Sequence, residues 1–253
     1  MQRIVQCGLV VAALVSGISA VEPVPNSQLA AYMDRLSKAM MTMDDDRPPF
    51  YDGANQFEPT CIQNVGQCFT TEFWTRHYLA QIENVTIIPS VHVDAELINL
   101  KDEVGTIKST KSVAVARGTT KGWTISAKAT VSTLFSGKGG FAEVSGTYKD
   151  ETTDLTTQTR TVEYASTCAA GRTCRIQTVT FQAVLRGVCR GEPFIWCSSE
   201  RRMCDSGLQD SCSQYGDYFK KSCSSGVPLT SDCETTVQIR DGKNDLLSVV
   251  VLE

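Results

Sequence analysis

The sequence predicts a mainly β fold, with a small helical and aromatic region at the N-terminus and a disulfide-rich segment at the C-terminus. Three observations carry this. From Val85 onward apolar residues alternate with Thr and Ser, as at Val85, Ile87, Val91 and Val93, a period-two pattern that fits strands rather than helices. Near the start, Leu29, Met33, Leu36, Met40 and Met43 recur at steps of four and three, which places one face of an amphipathic helix there. Between Cys189 and Cys233, six cysteines fall within 45 residues amid Ser, Gly and Asp, the composition of a stapled, loop-rich segment.

The composition limits the class. With 253 residues, 42% of them hydrophobic and 21% charged, the chain can enclose its own core and is neither disordered nor fibrous. The longest apolar run, Gly8 to Val15, falls short of the ~20 residues of a spanning helix. A net charge of −4 gives no basic face for nucleic acid. Residues 1–20 have the layout of a secretory signal peptide: Arg3, that apolar run, then a small-residue end at Ala20. Its removal takes away Arg3 and Cys7, so the charge becomes −5 and the 11 cysteines become 10. Cys61, Cys68, Cys168, Cys174, Cys189, Cys197, Cys204, Cys212, Cys223 and Cys233 then form up to five disulfides in an exported protein, with the pairing left open. Asn84-Val85-Thr86 is the single glycosylation sequon.

Residues 21–90 read as a helix and an aromatic-rich head. Asn26 or Ser27 caps the helix, its Leu/Met stripe is a packing face, and Asp44-Asp45-Asp46 before Arg47-Pro48-Pro49 stops it. In the aromatic stretch that follows, Phe50, Tyr51, Trp74 and Tyr78 are the candidates for gripping a surface glycan or protein receptor, because rigid aromatics give contact area at low entropy cost. Residues 91–188 read as the β region and 189–253 as the cysteine-rich segment. The latter ends in a closing hairpin around Asp241-Gly242.

Function is concentrated at 122–152. Trp123, Ile125, Ala127, Ala129 and Val131 alternate with Thr124, Ser126, Lys128, Thr130 and Ser132. After the glycine-rich turn around Lys138, Ala142, Val144 and Tyr148 alternate with Glu143, Ser145 and Lys149. Each arm is long enough for a transmembrane β-strand, ~9–11 residues. An isolated hairpin cannot cross a bilayer, because its unpaired edge groups would be left in hydrocarbon; it has to join a closed barrel built from several copies. Ile125, Ala127, Ala129, Val131, Ala142, Val144 and Tyr148 would then face lipid, and Lys128, Glu143 and Lys149 the lumen. Leu134, Phe135, Lys138 and Phe141 would form the tip. Parity requires opposed residues to sum to an odd number, and a turn centred on Lys138-Gly139 gives 277, which pairs Ala129 with Tyr148. Arginine at Val131 or Val144 is expected to abolish permeabilisation and leave the monomer soluble.

The ordered series Ser112-Val113, Thr119-Thr120-Lys121-Gly122-Trp123, the amphipathic strand, Leu134-Phe135, Tyr148, a Thr-rich run to Thr161, and the strand Arg175 to Gly187 resembles the aerolysin-like β-pore-forming toxins, in particular the epsilon-toxin and mosquitocidal-toxin branch. The resemblance covers roughly residues 94–187. It implies an elongated body of long twisted antiparallel strands with a stem hairpin at 122–152, a homo-oligomer on the target-cell membrane, and a surface receptor. No Ser/His/Asp or Cys/His arrangement and no phosphate-cradling loop is legible, so catalysis and cofactors are not expected. Without a Cys-x2-Cys pair and with only His77 and His92, neither is a metal. The rival reading is a secreted, non-lytic module that binds a glycan or protein on the same β scaffold.

Overall fold

The computed structural model describes residues 24–117, 122–129, 142–146, 155–223 and 229–253. It is mainly β, as expected, and β9 (Thr173–Cys197) is its spine. The 29-residue β4 (Thr70–Ile98) pairs antiparallel with β9 along one edge, from Glu72↔Trp196 to Ile98↔Thr173. At ~3.3 Å per residue a strand of that length reaches roughly 90 Å. Bulges at Leu79/Gln81, Ile82/Asn84 and Val93/Ala95 bend it. Pro89 lies in the half of β4 that, among the described residues, pairs along one edge with β9, the one-sided kind of strand position where proline is found. At the head end, β2 (Phe50–Asp52) and β3 (Gln56–Pro59) pair with the outer edge of β4. The short β1 (Val24–Pro25) pairs parallel with β12, and β10 (Ser199–Arg202) folds back on β9.

The other edge of β9 corrects the expected closing hairpin. β11 (Leu229–Arg240) pairs with residues 191–182 of β9 and β12 (Ser248–Leu252) with 180–176, so the two strands run end to end in one direction. Between them the Asp241 carboxylate accepts from the amides of Lys243 and Asp245, closing a small loop that sends buried Leu246 and Leu247 back into the core. The chain does turn at Asp241-Gly242, with an antiparallel bridge Arg240↔Leu246 and the Leu247 amide donating to the Ile239 carbonyl, but after Leu247 it turns outward again and β12 pairs with β9 rather than with β11.

Helix α1 (Asn26–Ala39) lies on one face of the sheet. Leu36 and Met40 are fully buried, and Leu29, Met33 and Met43 pack around them, which bears out the packing face; Tyr32 joins them against Phe181 at 5.2 Å. Val179, Phe181, Ala183 and Leu185 of β9 supply the sheet side of this core. The opposite face of β9 is a buried polar layer of Thr178, Thr180 and Gln182. A two-stranded sheet, β5 (Gly105–Arg117) with β8 (Leu155–Cys168), covers it: Ser112 bonds Thr178 at 2.7 Å, and Thr180 donates to the carbonyl of Val115.

All ten cysteines outside residues 1–20 are paired: Cys61–Cys212, Cys68–Cys197, Cys168–Cys174, Cys189–Cys233 and Cys204–Cys223. Such a set belongs to an oxidising, extracellular type of environment. The cysteine-rich segment is not self-contained, because two of its bonds reach back to Cys61 and Cys68. Under it, α2 (Ser213–Cys223) buries Tyr215 against Phe73, Ile195 and Met203 in a second core. No described helix is long and apolar enough to cross a membrane.

Candidate functional site

The described stem of the predicted hairpin is β6 (Ser126–Ala129) paired antiparallel with β7 (Ala142–Ser145). Opposed residues sum to 271, not 277: Ser126 faces Ser145, Ala127 faces Val144, Lys128 faces Glu143 and Ala129 faces Ala142. Parity survives this shift because both sums are odd, so apolar residues still share one side. The correction has a physical reason. The observed register sets Lys128 opposite Glu143 on the polar side, whereas 277 would put the Asp150 carboxylate opposite Ala127 on the apolar side.

That apolar side is buried in the lone chain. Ala127 and Val144 are fully covered and Ile125 and Ala129 nearly so, all in the core shared with α1, while Lys128 is exposed and Glu143 half-buried. Among the described residues three attachments hold the stem. β6 continues the sheet parallel to β11 through Ile239↔Ala127 and Arg240↔Lys128. On the outer edge of β7 runs the strap after α1: Asp44 donates to the Val144 carbonyl, Val144 to that of Thr42 and Gly146 to that of Arg47. Where the first arm enters, Thr124 donates to the Phe50 carbonyl at 2.8 Å, and Tyr51 packs on Trp123 with ring centres 4.6 Å apart. The remaining hairpin positions, Val131, Leu134, Phe135, Lys138, Phe141, Tyr148 and Lys149, lie outside the described residues.

The four aromatic candidates do not form one exposed set. Trp74 is a core residue stacked on Phe194. Tyr51 faces the stem and stacks on His77, whose imidazole burial holds below the ordinary value. Phe50 and Tyr78 pack together, at 5.6 Å, on the other face. There they form a cross-strand row with Arg190, beside a second row of Asp52, Arg76 and Glu192. Phe50, Tyr78, Arg190, Arg76 and Glu192 line a cleft of about 480 Å³, closed on one side by Asp45, Asp46 and Pro48 of the strap and by Thr124 and Gly146 of the stem.

Arg76 organises this cleft, a role that periodicity alone did not reveal. Its guanidinium lies 4.3 Å from the Phe50 ring centre and 4.6 Å from that of Phe194, and donates to both Asp52 and Glu200. Burial opposes its charge, but those hydrogen bonds more than compensate and hold it firmly protonated. The legible signal was the run Glu72, Trp74, Arg76, Tyr78, which places alternate charged and aromatic side chains on one strand face.

Asn84 and Thr86 of the sequon are exposed on β4. Among the described residues no group of His, Cys, Asp and Glu can hold a metal ion. No protein-family model matches the chain, and no curated protein matches it in sequence.

Proposed function

We propose that this is a secreted pore-forming protein of the aerolysin-like kind, which docks on a target-cell membrane, assembles a ring and contributes one hairpin per subunit to a transmembrane β-barrel. The observation that carries this reading is the register of β6 and β7, which gives the stem one apolar and one wet side while its outer edge is held, among the described residues, by the strap. Leaving the body exchanges the monomer core for lipid around Ala127, Ala129 and Val144. The new neighbour strands in a closed barrel would satisfy the edge groups that the strap and β11 hold in the monomer. Small side chains suit this exchange, because their removal from the core costs less than that of large ones.

The test is a cross-link between stem and body. Lys128 and Arg240 are register partners across β6 and β11, so K128C/R240C joins the two strands at a spacing a disulfide spans. Cross-linked protein is expected to release no dye from liposomes, while each single variant releases it like the parent. Full release by the cross-linked form overturns the proposal. The second reading, a non-lytic glycan- or protein-binding module, draws on the cleft around Phe50, Tyr78 and Arg190. Cell binding without leakage by the uncross-linked parent selects it.

A further inference from the structure

The head end of the sheet presents a loop that neither reading has used. From Pro59 to Thr71 the chain runs thirteen residues without a charge, between Glu58 and Glu72. Within and beside it, apolar side chains stand in water: Ile62 is 94% exposed, Phe69 83%, Phe57 62% and Val65 46%. The loop is a fixed structure. Cys61 is bonded to Cys212 and Cys68 to Cys197 at the end of β9; Thr60 donates to the Phe69 carbonyl, and Gln67 and Cys68 both donate to that of Asn64. Rigid presentation means that binding through these side chains requires little further ordering.

We infer that this disulfide-pinned loop is a lipid-docking element, whose Ile62, Val65 and Phe69 enter the headgroup–acyl boundary of a zwitterionic bilayer. The inference deepens the membrane-directed reading and rests on it for the choice of lipid. Three features favour a bilayer over a protein partner. A charge-free segment enters the boundary without the cost of carrying an ion there. Exposed Gln63 and Gln67 supply uncharged polar groups at headgroup level. These side chains stand out from the surface rather than line a groove, and the hollow behind the loop, between Asn64, Gln67, Arg201 and Tyr215, holds only about 20 Å³, too little to receive a side chain or segment of a protein partner. With no Lys or Arg in the loop, attraction to anionic lipid is not its basis.

The experiment is co-sedimentation of the disulfide-bonded protein with vesicles of phosphatidylcholine alone, at low and at molar salt. The parent is expected to bind equally at both, because apolar contact is not screened. I62S/F69S should lower partition by about tenfold or more. L100S, which removes an equally exposed leucine from the opposite end of the sheet, should leave it unchanged. Near-UV circular dichroism and a free-thiol count establish that each variant is folded. In the otherwise intact parent, F69W should show a blue-shifted emission with vesicles. Absence of binding to phosphatidylcholine, a requirement for anionic lipid, unchanged partition of I62S/F69S, or an unshifted F69W overturns the inference. Docking without dye release keeps it and overturns the pore instead.

Discussion

The backbone amide of Asp44 donates to the carbonyl of Val144 at 3.0 Å, and the amide of Val144 donates to the carbonyl of Thr42 at 3.3 Å. The strap after α1 is thus an extra edge strand for the stem, and Met43 forms the bridge pair with Val144. One residue therefore combines an apolar side chain in the monomer core with a backbone edge capped by a segment distant in sequence.

Val144 is fully buried, so V144A should cost about 2 kcal/mol, the lost transfer of two methyl groups plus a small cavity. V144R is a different perturbation: it leaves an unpaired cation in the core and should cost more than about 4 kcal/mol. The expectation that arginine here leaves a soluble monomer is therefore corrected; V144R tests folding before it tests the lipid face. Denaturant midpoints of the two variants measure the difference.

Acid should loosen the attachment of the first arm. Burial holds the His77 imidazole below its ordinary 6.5, with the Asp52 carboxylate pulling the other way. Below 6.5 the unfolded chain binds the proton first, so the folded state loses stability as pH falls through that value, and the loss stops growing once the native-state value is passed. His77 stacks on Tyr51 at 4.7 Å, and Tyr51 packs on Trp123 at the entry to the stem. Denaturant midpoints at about pH 5.5 and about pH 7.5 should differ more for the parent than for H77F, which keeps the stack and removes the titration.

How much of this was legible beforehand divides along physical lines. Local periodicity showed the α1 stripe and the alternation of the stem, because each is a property of consecutive residues. The stem register was not legible: a glycine-rich turn marks where a chain can reverse, while the pairing of Ala127 with Val144 is fixed by α1 and β11, distant in sequence. The end-to-end arrangement of β11 and β12 was hidden for the same reason: the turn at Asp241-Gly242 forms as the local signal says, but it does not reveal that β12 goes on to pair with β9, distant in sequence. Trp74 was counted with the surface aromatics because composition carries no sign of which face of β4 meets Phe194.

Arg76 should be worth more to stability than a surface ion pair. Its side chain is 13% exposed and sits between two rings, whereas its carboxylate partners Asp52 and Glu200 are 40% and 46% exposed. R76A leaves those acids to water, which discounts the electrostatic loss, but it also removes the packing against Phe50 and Phe194. A cost of about 1 to 2 kcal/mol follows, with R76K only partly restoring it because an ammonium cannot pair with both acids in a plane. Denaturation of R76A and R76K alongside D52N/E200Q separates the two contributions; equal midpoints for R76A and the parent would exclude the clamp.

Gly187 is the position where the spine tolerates no side chain. A Cβ built there would lie 1.9 Å from the carbonyl oxygen of Gln81, on the neighbouring strand at its bulge between Leu79 and Gln81. Gly187 also accepts the register of Cys233 from β11 on its other side, next to the Cys189–Cys233 bond, so neither flank is free to withdraw. The obstacle is backbone rather than a flexible side chain, and relief requires the β4 bulge to move. G187A should therefore cost at least about 3 kcal/mol, at the upper end of overpacking effects. G242A, at an open turn where a Cβ meets nothing within 4 Å, is the control and should stay close to the parent. A G187A midpoint equal to that of G242A would mean that β4 and β9 lie farther apart at Gln81, with room for a methyl group between them.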